Sequence, residues 1–214
     1  DGVKFDIRAH VVVLPGSRDR AARALLHMPS SYARFATGSY TTEQLDVVRH
    51  LTNVCLREAA CSASHVHGNA DSRSTRSTRR TLSLPELLDE VAGDRVSHEE
   101  VVQAVCNTSA ECMRELLRQK QQEQRGQGQE TLEGRMHVLG LDIMLDASGR
   151  AWLIEANHAP YMRFKSDSTS RGLVIDMVNL ALRTKLATSE SLGLAEWRWP
   201  PSGGDESNWR ELEV

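Results

Sequence analysis

The sequence predicts an α+β fold in which an antiparallel sheet is flanked by helices. Three observations predict it. Residues 137–158 hold two apolar segments around Asp146-Ala147-Ser148-Gly149, a turn signal, and read as an antiparallel hairpin. Residues 7–14 are dense in Val and Ile and end at Pro15-Gly16, as a buried strand stopped by a turn does. Residues 98–124 and 174–186 space their apolar side chains as amphipathic helices do.

The chain has 214 residues, enough for one domain or a large part of a two-lobed one. A formal net charge of -3 and 5% aromatics give neither a global basic field nor a stacking platform, so nucleic acid is not the expected partner. No stretch approaches the ~20 apolar residues of a membrane span. The opening Asp1-Gly2-Val3-Lys4 lacks the regions of a signal peptide, and without an initiator Met the chain is expected to be a fragment. Cys55, Cys61, Cys106 and Cys112 form no CxxC pair, so buried thiols in a reducing compartment are expected rather than a zinc site.

In chain order, the strand over 7–14 is followed by a segment to Tyr40 that should hold more strand and a loop. A strand end or tight turn is expected around His50-Leu51-Thr52-Asn53. Residues 61–81 are rich in Ser, Thr and Arg with one large apolar residue, Val66, and are expected to be a flexible insertion. Ser83-Leu84-Pro85-Glu86 reads as a helix start, with Ser at the N-cap. The helix over 98–124 should bury a stripe of Val101, Val105, Cys112, Leu116 and Leu117, and the polar, Gly-containing run 121–130 should be a loop. Residues 1–186 thus form the predicted catalytic unit. Residues 187–214 form a tail that either packs by Trp197, Trp199 and Trp209 or stays apart.

The hairpin carries the chemistry. Side chains alternate along a strand, so Leu139, Leu141, Ile143 and Leu145 share one face and Asp142 the other. On the return strand Leu153, Glu155 and Asn157 share a face. A two-residue turn at Ser148-Gly149 sets Asp142 across from Glu155, and a four-residue loop sets them on a diagonal of one face. Two carboxylates that close are costly unless a cation lies between them. With Asn157 in phase, the set offers hard oxygens and favours Mg²⁺ or Mn²⁺. Lys4, Asp6 and Arg8, two steps apart, would share one face of their strand.

Four motifs in order resemble the tubulin tyrosine ligase-like family. Lys4-Phe5-Asp6-Ile7-Arg8 matches its KFDxR motif, and residues 31–40 (Ser31-Tyr32-Ala33-Arg34 onward) resemble its arginine segment. His50-Leu51-Thr52-Asn53 matches its HLTN motif. The run from Leu139 to Pro160 resembles its final hairpin, GxDIMLD then WLLEVNHSPS. The resemblance implies an ATP-grasp fold, here its C-terminal portion, and a ligase that uses Mg-ATP to activate a carboxylate as an acylphosphate for attack by an amino acid's amine. It implies that Asp142, Glu155 and Asn157 hold Mg²⁺, and that Lys4 and Asp6 face the phosphate and ribose end of ATP. Arg8 and Arg34 would steady the acylphosphate and the amino acid's carboxylate, and Thr52 and Asn53 would line the nucleotide pocket. The implied partners are the acidic tails of tubulin and a free amino acid, glutamate first. The implied place is the cytoplasm, on microtubules, including the cilium or basal body. A tubulin-binding pseudoenzyme and a ligase with another acceptor are the alternatives.

Overall fold

In the computed structural model the described residues are 2–16, 21–43, 45, 47–52, 81–91, 96–127, 136–158, 160, 168–188 and 208–214. They form strands β1 (Val3–Leu14), β2 (Arg23–Ser39), β3 (Thr81–Ser83), β4 (His137–Leu145), β5 (Ala151–His158) and β6 (Trp209–Leu212), with helices α1 (Val47–His50), α2 (Leu84–Val91), α3 (His98–Gln127) and α4 (Ser168–Thr188). The strands make one antiparallel sheet in the order β3-β2-β1-β4-β5. β6 joins the edge of β2 that also holds β3, nearer the start of that strand. Among the described residues no helix is long and apolar enough to cross a membrane.

The two-residue period of β1 sorts its side chains. Ile7, Ala9, Val11 and Val13 point to one face, where they meet Ala24, Leu26, Ala33 and Phe35 of β2 and Leu139, Leu141 and Ile143 of β4. α2 and α3 cover this face with Leu84, Leu87, Val101, Val105 and Met113. Each such side chain taken from water contributes roughly 1.5–3 kcal/mol. The opposite face is divided. Val12, Leu14 and Leu25 lie under Leu173 of α4. Beyond them, the same face of β1 carries His10, Arg8, Asp6 and Lys4.

Several elements depart from expectation. β1 starts at Val3 and β2 is a strand of 17 residues. The HLTN region opens with the single helical turn α1, where a strand end or tight turn was expected. α3 continues through Gln127 where a loop was expected, because Gln, Glu and Arg are good helix formers and polarity alone does not end a helix. Its buried stripe is Val101, Val105 and Met113, with Cys112, Leu116 and Leu117 only half-buried. α4 starts at Ser168, and its apolar residues lie on both sides: Leu173 is buried while Ile175, Val178 and Leu182 are exposed.

Ser83 and Glu86 form the expected cap of α2: Ser83 N–H donates to Glu86 (2.8 Å) and Glu86 N–H to Ser83 Oγ (3.4 Å). Ser97 and Glu100 repeat it at α3. The expected insertion over 61–81 lies outside the described residues apart from Thr81, which opens β3. The segment after residue 187 returns to the sheet as β6. There Glu211 pairs with Arg23 (2.5 Å) and Trp209 packs on His27, with ring centroids 4.5 Å apart.

Candidate active site

The hairpin turn is neither of the two lengths considered from sequence. Asp146 N–H donates to the Arg150 carbonyl at 3.0 Å, leaving a three-residue loop, and Gly149 takes φ +82° in the left-handed region. Asp146 accepts from Ser148 N–H and Oγ–H, Arg150 N–H and the Trp152 indole N–H. Those bonds, the Ser148 and Trp152 side chains first, hold its carboxyl down at about 2. An odd loop alone would put Asp142 across from Ile154. Instead a bulge follows: Ile143 pairs with Leu153 but Asp142 with Glu155, leaving Ile154 as the extra residue. The two irregularities cancel, and Glu155 and Asn157 face the same side as Asp142 and Gly140. Leu153, expected on that side, pairs with Ile143 on the core side.

Register then aligns a polar row across four strands. Tyr32 of β2 pairs with Arg8 of β1, Arg8 with Asp142 of β4, and Asp142 with Glu155 of β5. Arg34 pairs with Asp6 one step along. The side chains form a chain of alternating charge. Arg8 Nε and Nη2 donate to the two Asp142 oxygens, the Nη2 bond at 2.9 Å. Arg34 Nη2 also reaches Asp142 Oδ2 (2.8 Å). Arg34 Nε and Nη2 hold Asp6 at 2.7 and 2.8 Å. Thr52 Oγ1 donates to Asp6 Oδ2 at 2.5 Å. These five side chains are all buried. Burial pushes the Asp142 carboxyl up, and the bonds and charges of Arg8 and Arg34 overcome it and hold it below the usual carboxylate range. Burial likewise works against the Arg34 charge, and Asp6 and Asp142 more than restore it.

Glu155 lies at the open end of the row. It is exposed, and its Oε1 accepts from Asn157 Nδ2 at 2.9 Å, a bond that uses neither Oε2 nor the Asn157 Oδ1. No group of three or more His, Cys, Asp or Glu side chains converges among the described residues. The candidate cation ligands are two carboxylates and an amide on paired strands, hard oxygens of the kind Mg²⁺ takes, with both Asp142 oxygens also bonded to arginines. Lys4 stands half-buried at the start of the β1 row. Asn53 lies outside the described residues.

The sequence profile of the tubulin-tyrosine ligase family matches residues 1–190. The chain belongs to that family. It is similar to tubulin glycylase 3D of Tetrahymena thermophila, 25% identical over 173 residues, which cover 78% of this chain and 15% of that protein. It is also similar to tubulin polyglutamylase ttll6 of Danio rerio, 26% identical over 176 residues, 78% of this chain and 20% of that protein. The chain therefore spans a fifth or less of the length of these curated relatives.

In this member of the tubulin-tyrosine ligase family the sheet adds residues that the sequence reading left out. His10 continues the alternation Lys4, Asp6, Arg8 by one more step, which was the available signal. Its Nδ1 contacts the Ser30 carbonyl (2.9 Å) and Ser30 Oγ (3.1 Å). Burial, opposed by the Ser30 bond and helped by the Arg8 charge, pushes it down to about 4 and keeps it neutral beside Arg8. Ser30 belongs to a wide bulge of β2, where pairing jumps from Arg8–Tyr32 to His10–His27. His27 Nδ1 accepts from Ser30 N–H (3.2 Å), and His27 Nε2 meets Asp176 of α4 at 2.9 Å. Asn208 Nδ2 donates to the same Asp176 oxygen. Ser30, His27 and Asp176 thus have the order of a nucleophile, base and acid, yet all three are buried and their bonds tie α4 and the tail to the sheet. Nothing in sequence spacing announces a pair 149 residues apart.

Proposed function

We propose that the whole protein is an ATP-dependent ligase that joins an amino acid, glutamate first, to tubulin through an acylphosphate. Family membership supports a ligase, and the names of the two relatives support tubulin as acceptor. The observation that carries the reading is the row Arg34, Arg8, Asp142, Glu155: two fixed guanidinium groups beside two carboxylates, closed by burial at one end and open at the other.

In this reading ATP transfers its terminal phosphoryl group to the acceptor carboxylate, and the amine of the incoming amino acid then displaces phosphate. Each step gathers negative oxygens at one place, so the protein's contribution is positioning and charge. Arg8 and Arg34 each turn their Nε and Nη2 edge to an aspartate. Neither Nη1 has a hydrogen-bond partner among the described residues, and a fixed fork with a free end suits a carboxylate or phosphoryl oxygen. Asp6, braced by Thr52, holds Arg34 in place, and Lys4 with Asn53 serves the nucleotide. Asp142, Glu155 and Asn157 would hold Mg²⁺, which when bound neutralises phosphate oxygens. The proposed setting is the cytoplasm, on microtubules.

An amino-acid transfer assay tests this. The full-length protein is incubated with microtubules, Mg-ATP and radiolabelled glutamate, glycine or tyrosine in parallel. ATP-dependent labelling of tubulin by glutamate is the expected result, and labelling by one of the others would correct the donor. ATP binding with no labelling would overturn the tubulin ligase in favour of a tubulin-binding pseudoenzyme or another acceptor.

A further inference from the structure

We infer that Gly140 is a positioning residue: by lacking a side chain it lets the Arg8 guanidinium lie over β4 with its Nε–Nη2 edge against Asp142 and its Nη1 end free. Gly140 faces the polar row, across from His10 on one side and Asn157 on the other. A Cβ built on it would stand 3.0 Å from Arg8 Cδ, 3.2 Å from Arg8 Nη1 and 2.8 Å from Pro160 Cβ. Its backbone does not ask for glycine, because positive φ among the described glycines occurs only at Gly2 and Gly149. The requirement is space alone.

Neither neighbour yields readily. Arg8 is tied to Asp142 by two hydrogen bonds, and Pro160 is a buried, rigid ring just beyond β5. Arg8 stands directly across from Asp142, and its side chain leans two residues along β4 to cross Gly140. That lean decides which edge of the guanidinium meets the carboxylate. A methyl group at position 140 would stand 3.2 Å from Nη1 and 3.0 Å from Cδ, so the fork would have to give by a few tenths of an ångström. The consequence for catalysis rests on the reading above, in which Nη1 meets the reacting oxygens. The seating of Arg8 itself does not.

Two readouts on the full-length protein separate these. The first is the Nε–H resonance of Arg8 in protein labelled with ¹⁵N at arginine Nε, assigned by its loss in Arg8→Lys. In Gly140→Ala it is expected to shift or exchange with solvent while cooperative unfolding persists. An unchanged resonance would overturn the inference. The second is amino-acid transfer. A fork displaced by a few tenths of an ångström is expected to lower kcat several-fold with KM for ATP unchanged. Gly140→Ala should add nothing in an Arg8→Lys background, and additive losses would show that Gly140 acts elsewhere. If wild-type protein transfers no amino acid, the functional reading fails and the resonance still decides the seat. If Gly140→Ala does not fold, Pro160→Gly in that background removes the nearest obstacle. A displaced Arg8 resonance there supports the inference, and a native one assigns the glycine to Pro160 alone and overturns it.

Discussion

Asp142 and Glu155 stand directly opposite each other in one hairpin, carry the same charge and lie in contrasting surroundings. Asp142 is 3% exposed and its two oxygens accept from two guanidinium groups. Glu155 is exposed and its polar neighbour is Asn157. The difference comes from the strands: β4 has β1 on its other side, and β5 is the last strand of the sheet path among the described residues. An acid on the inner strand is part of the fold, because its removal leaves the buried Arg8 without its carboxylate and takes one of two from Arg34. One on the outer strand is free for a ligand. The pair thus gives one site an enclosed acid fixed by guanidinium groups and an exposed acid beside it.

On a common scale of stability, removing the inner acid should have the largest effect. Asp142→Ala in the full-length protein is expected to cost about 3–5 kcal/mol, since Arg8 and Arg34 lose a shared partner in a buried place. Urea denaturation reads this, and a loss near zero would erase the contrast with Glu155.

Acid comes next. His10 falls from 6.5 to about 4 in the fold, chiefly through burial, and His27 moves the same way. The unfolded chain therefore binds more protons between those values. The stability is whole above pH 6.5 and is lost as pH falls towards 4, on the order of 3 kcal/mol for His10. Unfolding free energies across that range should flatten in His10→Gln, and an unaltered slope would remove His10 from the account.

Gly149→Ala is a smaller test of the same hairpin. It asks a side chain to adopt φ +82° and brings a Cβ to 3.0 Å from Val96, with an expected loss of about 1–2 kcal/mol by thermal unfolding. The smallest effect on stability belongs to Glu155→Gln, a nearly isosteric change at an exposed position. Its unfolding curve should overlay the wild type while Mg²⁺-dependent transfer is abolished. Retained transfer would refute the role given to Glu155, and a large loss of stability would break the comparison from the other side.

Much of this was legible locally. The capping pattern of Ser83 and Glu86, the Val and Ile run of β1 and the turn at Asp146 to Gly149 depend on residues a few positions apart, so their signals survive in sequence. The same pattern at Ser97 and Glu100 is equally legible. The candidate site residues were legible as motifs, and Lys4, Asp6 and Arg8 as a shared strand face. The bulge at Ile154 was not, because a single apolar residue looks the same whether it pairs or protrudes. Nor was the end of α3, where polar helix formers imitate a loop.

By itself the sequence determined the alternation that separates a core face from a polar face, the acids and arginines assigned to the latter, and the family to which the chain belongs. Only the tertiary structure decided which acid is enclosed by which arginine, that two irregularities in one hairpin cancel, and that His27 meets Asp176 across 149 residues. Local signals arise from backbone geometry within a turn or two of chain. Burial and ion pairing arise from strands brought together over long separations, and no short window of sequence contains both partners.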